Sequence, residues 1–247
     1  MKVRIREMME NLKEALEYMV ELGEDRVNVV EIDGTYYTDK RLTRIDENID
    51  LDCLSITTLS GLVDYIKSNV DNCYKSNILV VVKSPTEVSV ERGLDVDGKR
   101  RQVAQIKALV PRIGFDNYYD TESFNILLQS AFVDSTHRAI LLKVVGNIKE
   151  EVIQNIGDDG ISQAATIKTG VATVEDVKVP NPVILTPRRT FVEVEQPESQ
   201  FVFRMQSGPR CALFEADGGA WRNEAMLNIK KYLESNLEGV QGITIIS

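Results

Sequence analysis

The chain has 247 residues, of which 43% are hydrophobic and 27% charged, an ordinary balance for a globular protein and a poor one for disorder. Its formal charge of −9 argues against general DNA binding, because a duplex-coating protein needs Lys and Arg to replace phosphate counterions. No run approaches the roughly 18 apolar residues that cross a bilayer.

Residues 1–10 alternate charges with Met and Ile and lack the apolar core of a signal peptide, so the protein is expected to stay in the cytoplasm. Cys53, Cys73 and Cys211 are odd in number and widely spaced, which excludes a disulfide framework and a C-x-x-C zinc site. Reduced thiols suit a cytosolic address.

In chain order, Met8, Leu12, Ala15, Leu16, Met19 and Leu22 recur at helical spacing, predicting a helix over 5–22 stopped by Gly23. Residues 27–32 then read as a strand, with Asp33-Gly34 as a hairpin turn into 35–37. Leu59, Leu62, Val63 and Ile66 mark a helix over 58–69. Ile78 to Val82 reads as a buried strand. Val88 and Val90 alternate with Glu87, Ser89 and Glu91, giving a strand with one wet face. Asp97-Gly98 predicts a tight hairpin into Ala104, Ile106, Ala108 and Val110, completing a three-strand meander.

Asp120 or Thr121 can cap a helix carrying Phe124, Leu127, Leu128, Ala131 and Phe132. Asp134 or Ser135 can cap the next, which ends at Gly146, and Asn147 with Glu150 opens a short third helix ending before Gly157. From 161 to 215 short Val-, Thr-, Ile- and Phe-rich runs alternate with Pro and Gly. They predict strands near 162–169, 171–179, 182–186, 190–195, 200–206 and 210–215, in a sandwich- or barrel-like part. A helix over 219–237 with a stripe at Trp221, Ala225, Ile229, Leu233 and Leu237 closes this part, and 243–246 adds a last strand. The expected class is α+β, with residues 1–157 mixed helix and antiparallel sheet and 158–247 β-rich. Short connections suggest that the two pack together.

No catalytic constellation stands out, and no cofactor is implied. His137 is the single histidine, and its place beside a helix cap explains it without chemistry. Asp158-Asp159 upstream of Asp176 and Lys178 has a spacing a two-metal nuclease allows, the carboxylates holding Mg²⁺ and the lysine polarising phosphate or water. The same residues also describe a turn and a wet strand face. Asp217-Gly218-Gly219 reads as a helix cap with glycines giving Trp221 room, because the flanking carboxylates oppose a phosphate cradle. Lys99, Arg100 and Arg101, and separately Arg188 and Arg189, are the candidates for contact with an anionic ligand or partner. A charged hairpin tip serves equally as a solvated edge.

Several runs carry a resemblance: 157–163 (GDDGISQ), 179–182 (VPNP), 189–201 (RTFVEVEQPESQF) and 212–221 (ALFEADGGAW). They resemble an uncharacterised family of phage and prophage proteins from Gram-positive bacteria. Tyr36-Tyr37-Thr38-Asp39-Lys40 is more distantly similar to YfdQ-type prophage proteins. The resemblance implies a setting, an infected bacterial cytoplasm, and no catalytic residues. The expected function is therefore that of a non-enzymatic accessory protein binding a host defence component or a small anionic signal. The alternative is a nucleic-acid processing factor of a phage replication or recombination module, a metal-dependent nuclease being its sharpest form. A homo-oligomer is also expected, assembled through 161–215, where the runs Phe191–Val194 and Phe201–Met205 lack protective prolines.

Overall fold

The computed structural model describes residues 12–20, 23, 29–32, 35–38, 52–71, 77–94, 98–146, 156–158, 163–169, 173–206, 208 and 210–247. The chain divides into two compact units, Met1–Asp50 and Leu51–Ser247. In the first, helix α1 covers 12–20, with a Lys13–Glu17 ion pair one turn apart. Gly23 is itself helical, so the expected stop does not fall there. Strands β1 (Val29–Ile32) and β2 (Thr35–Thr38) pair antiparallel with Ile32 opposite Thr35, which leaves the expected two-residue connection at 33–34.

The second unit is α+β. Its five-stranded sheet has the order β14-β4-β5-β6-β3. Here β3 is Leu54–Ile56, β4 Ile78–Ser84, β5 Glu87–Arg92, β6 Gln102–Lys107 and β14 Ile243–Ile246. The predicted meander is its centre. The outer strands both run parallel to their neighbours, β14 on β4 and β3 on β6. Alternation along β4 buries Ile78, Val80 and Val82. Helices α2 (Leu59–Ser68) and α5 (Ala220–Asn236) supply Leu59, Leu62, Val63, Ile66, Ile229 and Leu233 to the same core. The face of β5 expected to be wet is not wholly so: Ser89 is fully buried, its hydroxyl donating to Glu91. The tight Asp97-Gly98 hairpin is also corrected. Strand β5 ends at Arg92 and β6 begins at Gln102, after a register shift at Val90/Glu91, so a longer connection spans 93–101. Asp97 lies outside the described residues.

The four-stranded antiparallel sheet has the order β11-β12-β13-β7. Here β7 is Tyr119–Asp120, β11 Val183–Leu185, β12 Ser199–Gln206 and β13 Arg210–Glu215. Helices α3 (Thr121–Ala131) and α4 (Thr136–Gly146) cover it, burying Phe124, Leu128, Leu141 and Val144 against Leu185, Phe201, Phe203 and Leu213. Asp120 caps α3 through the Ser123 N–H at 2.9 Å, and Ser135 caps α4 through the Arg138 N–H at 3.1 Å. Neither this sheet nor the five-stranded one closes into a barrel. A third ladder, β10-β9-β8, joins β8 (Ile156–Asp158), β9 (Gln163–Thr169) and β10 (Thr173–Lys178). Residues 156–158, expected to be a helix end and the start of a turn, are thus a strand. The short helix after Asn147 falls on 147–155, outside the described residues.

The predicted strand at 190–195 is a turn instead. The Gln196 side chain replaces a ladder partner: its Oε1 accepts from the N–H groups of Arg189 and Thr190 at 3.0 and 3.2 Å. Its Nε2 donates to the carbonyls of Phe191 and Val194 at 2.8 and 3.3 Å. The loop so folded drives Phe191 and Val194 into the core of the five-stranded sheet. Glu193 reaches the first turn of α2 and accepts the Leu59 N–H at 2.9 Å. Phe191, Val194, Phe201 and Met205 are buried within one chain, while Val192 is 74% exposed.

Candidate binding cleft

The expected cationic residues separate. Lys99, Arg100 and Arg101 lie in the β5–β6 connection, where Lys99 and Arg100 are exposed and an Arg100 N–H donates to the Arg92 carbonyl at 3.4 Å. Arg188 is exposed beside the end of α3, its N–H donating to the Ala131 carbonyl at 2.8 Å. Arg189, its neighbour, is only 7% exposed. One Arg189 amino group donates to Glu215 Oε1 at 2.5 Å and the other to the Ser199 hydroxyl, while the guanidinium carbon stands 3.7 Å from the centre of the Trp221 ring. Burial pushes its pKa down to about 10, partly offset by Glu215 and Asp217, so the cation persists at neutral pH. Arg189 is a core cation.

The nuclease candidates belong to the third ladder. Asp176 is opposite Thr166 and Lys178 opposite Ala164 on β9, while Asp158 is opposite Gln163 on its other side. Asp159 lies outside the described residues. No group of three His, Cys, Asp or Glu among the described residues is arranged to hold a metal ion.

His137 is structural. Its Nδ1 accepts the Ile184 N–H at 2.8 Å, covering a backbone donor of the edge strand β11. Cys53 and Cys211 are free thiols, and burial pushes that of Cys211 up to about 12. Cys73 lies outside the described residues, among which no helix is long and apolar enough to cross a membrane.

What the strands do assemble is a shallow, open cleft of about 510 Å³ beside the start of α5. Ile184 of β11, Glu198, Ser199 and Gln200 at the start of β12, Asp217 after β13, and Trp221 and Glu224 of α5 form its wall. The pairing of β12 with β13 brings the two ends together, and the Ala216 N–H donates to the Gln200 carbonyl at 2.9 Å. The expected role of Asp217 as helix cap is corrected. The cap position is Gly219, with φ 82° and no side-chain bond. Asp217 instead accepts the Gly219 N–H at 3.0 Å, folding the chain just before the helix. The space a Cβ at Gly219 would take holds the Arg222 guanidinium, not Trp221. Burial would raise the Asp217 pKa, but hydrogen bonding from Ser199 and Gly219 and the charge of Arg189 outweigh it and hold the carboxyl below its ordinary value. It is anionic at neutral pH.

Sequence reading missed Glu198, Ser199 and Glu224 as parts of one site. Trp221, expected on the apolar stripe of α5, is half-buried at the cleft while Ala225, Ile229 and Leu233 enter the core. No protein-family model, curated protein or solved structure matches this chain.

Proposed function

We propose that this protein is a non-enzymatic accessory factor that works by binding, with the cleft beside α5 as its contact face. The observation that carries this reading is the cleft's composition. Glu198, Asp217 and Glu224 surround Trp221, an acidic lining around an aromatic ring that suits holding a cationic group of a partner. Arg189, the conspicuous candidate for an anionic ligand, is engaged by Glu215, Ser199 and Trp221, so a host protein suits the cleft better than a small anionic signal. The phage-like runs around 189–201 and 212–221 form part of this wall and support a role in the infected bacterial cytoplasm.

Two measurements test the proposal. Tagged protein incubated with host extract should retain a partner that the Glu198→Arg and Glu224→Arg variants lose while staying folded. Incubation with plasmid and Mg²⁺ should leave the DNA intact. Nicking that disappears in Asp176→Ala and Lys178→Ala would instead establish a nucleic-acid processing factor.

A further inference from the structure

We infer that helix α1 of the first unit docks on the same helix of a second copy of this chain, the two running antiparallel. This contact is separate from the cleft and goes beyond its reading as a contact face. Every residue of α1 is exposed, among them Leu12, Leu16, Tyr18, Met19 and Val20, each showing half or more of its full area. All four residues of β1 are exposed too. Neither element buries the apolar surface it carries. A helix this short and a two-stranded hairpin are both marginal alone in water. An uncovered apolar stripe on such elements calls for a partner.

Spacing and charge say which partner. In the sequence Ile5, Met8, Leu12, Ala15, Met19 and Leu22 follow one another in alternating steps of three and four. That period of 3.5 is the seam of two helices wound round each other, and Leu16 widens it. Lys2, Arg4 and Arg6 are the only charged residues of 1–6, whereas Glu14, Glu17 and Glu21 are the only charged residues of 14–22. Bases at the start and acids at the end oppose the dipole of a lone helix. An antiparallel second copy sets its acids beside those bases, and two-fold symmetry repeats the match at the other end of the pair. A parallel copy would put like charges together. A membrane surface fits less well, because residues 1–25 hold seven acidic and four basic side chains, and helices that lie on membranes are rich in Lys and Arg.

Sedimentation equilibrium of the full chain tests the contact. Trp221, the only tryptophan, lies in the second unit, and its fluorescence during urea unfolding checks that the variants stay folded. Wild type should dimerise reversibly, and Leu16→Glu, at an exposed position, should weaken self-association about tenfold or more without moving the unfolding midpoint. Arg4→Glu/Arg6→Glu should weaken it as well, and adding Glu17→Arg/Glu21→Arg to that chain should restore it. Reversing only the start improves the dipole of each helix, so a loss there reports pairing and not helicity. Wild type that stays monomeric up to about 100 µM, or a dimer indifferent to Leu16→Glu, would overturn the inference. A monomer that Leu16→Glu destabilises would place the stripe against its own chain, and a monomer retained by phosphatidylglycerol vesicles would give it to a membrane. Both results also overturn it. A dimer that the charge reversal does not weaken, or that the second reversal does not restore, would overturn the antiparallel direction.

Discussion

Replacing Arg189 tests whether it is a core cation. Arg189→Ala removes a guanidinium that bonds Glu215 and Ser199 and stacks on Trp221, within 6 Å of the Phe115 and Phe201 rings. The substitution leaves Glu215 without its close cation and Ser199 without its donor, and opens a void between β12 and α5. Breaking a buried ion pair from one side costs about 3–5 kcal/mol, to which a desolvated cation–π contact contributes up to about 2. Because Glu215 is partly exposed, water can recover some of this, and the lower end, about 3 kcal/mol, is expected. In a unit of this size that lowers Tm by roughly 6–12 °C. Arg188→Ala, one residue away but exposed, should stay within about 0.5 kcal/mol of wild type. The assay is urea unfolding followed by Trp221 fluorescence and far-ultraviolet circular dichroism, with Glu215→Gln and the double variant completing a cycle. A loss below about 1 kcal/mol for Arg189→Ala, or equal losses at 188 and 189, would refute the assignment.

Removing the Glu193 carboxylate uncaps α2 from a distance, so Glu193→Ala should cost about 1 kcal/mol and Glu193→Gln less, read by chemical denaturation. His137→Ala leaves the Ile184 N–H on an edge strand without its acceptor, an expected loss of about 1 kcal/mol accompanied by faster amide exchange at Ile184. The folded state holds the Asp217 pKa below its unfolded value. Its stabilisation is therefore complete above the unfolded pKa and lost as pH falls through the lowered one. Asp217→Asn should flatten the acid limb of a stability–pH curve measured below about pH 4, and an unchanged limb would count against the interaction.

Periodicity made some of this fold legible and misled elsewhere, for physical reasons visible at particular residues. Helix α2 was readable because Leu59, Leu62, Val63 and Ile66 form one stripe and all four are buried. The run 190–195 reads as a strand because it is β-branched and aromatic, yet besides Thr190 it buries Phe191 and Val194, three apart, while Val192 between them is 74% exposed. Spacing by three does not fit a pleat. In the sequence Val192 and Val194 alternate with Glu193 and Glu195 as in a strand, and only Gln196, two residues beyond Val194, hints at a turn bonded by a side chain. The cleft was hidden differently. Glu198, Asp217 and Glu224 are scattered in sequence, and no local pattern unites them. The strands expected at 200–206 and 210–215 are nevertheless both present, and two strands so close in sequence that pair antiparallel fix their own register. Gln206 opposite Arg210 carries through to Phe201 opposite Glu215, so continuing the ladder brings Ser199 beside Asp217. The start of α5 three residues later then sets Trp221 against that pair. The site follows from strand register, which single-residue patterns do not encode until two strands are assumed to pair.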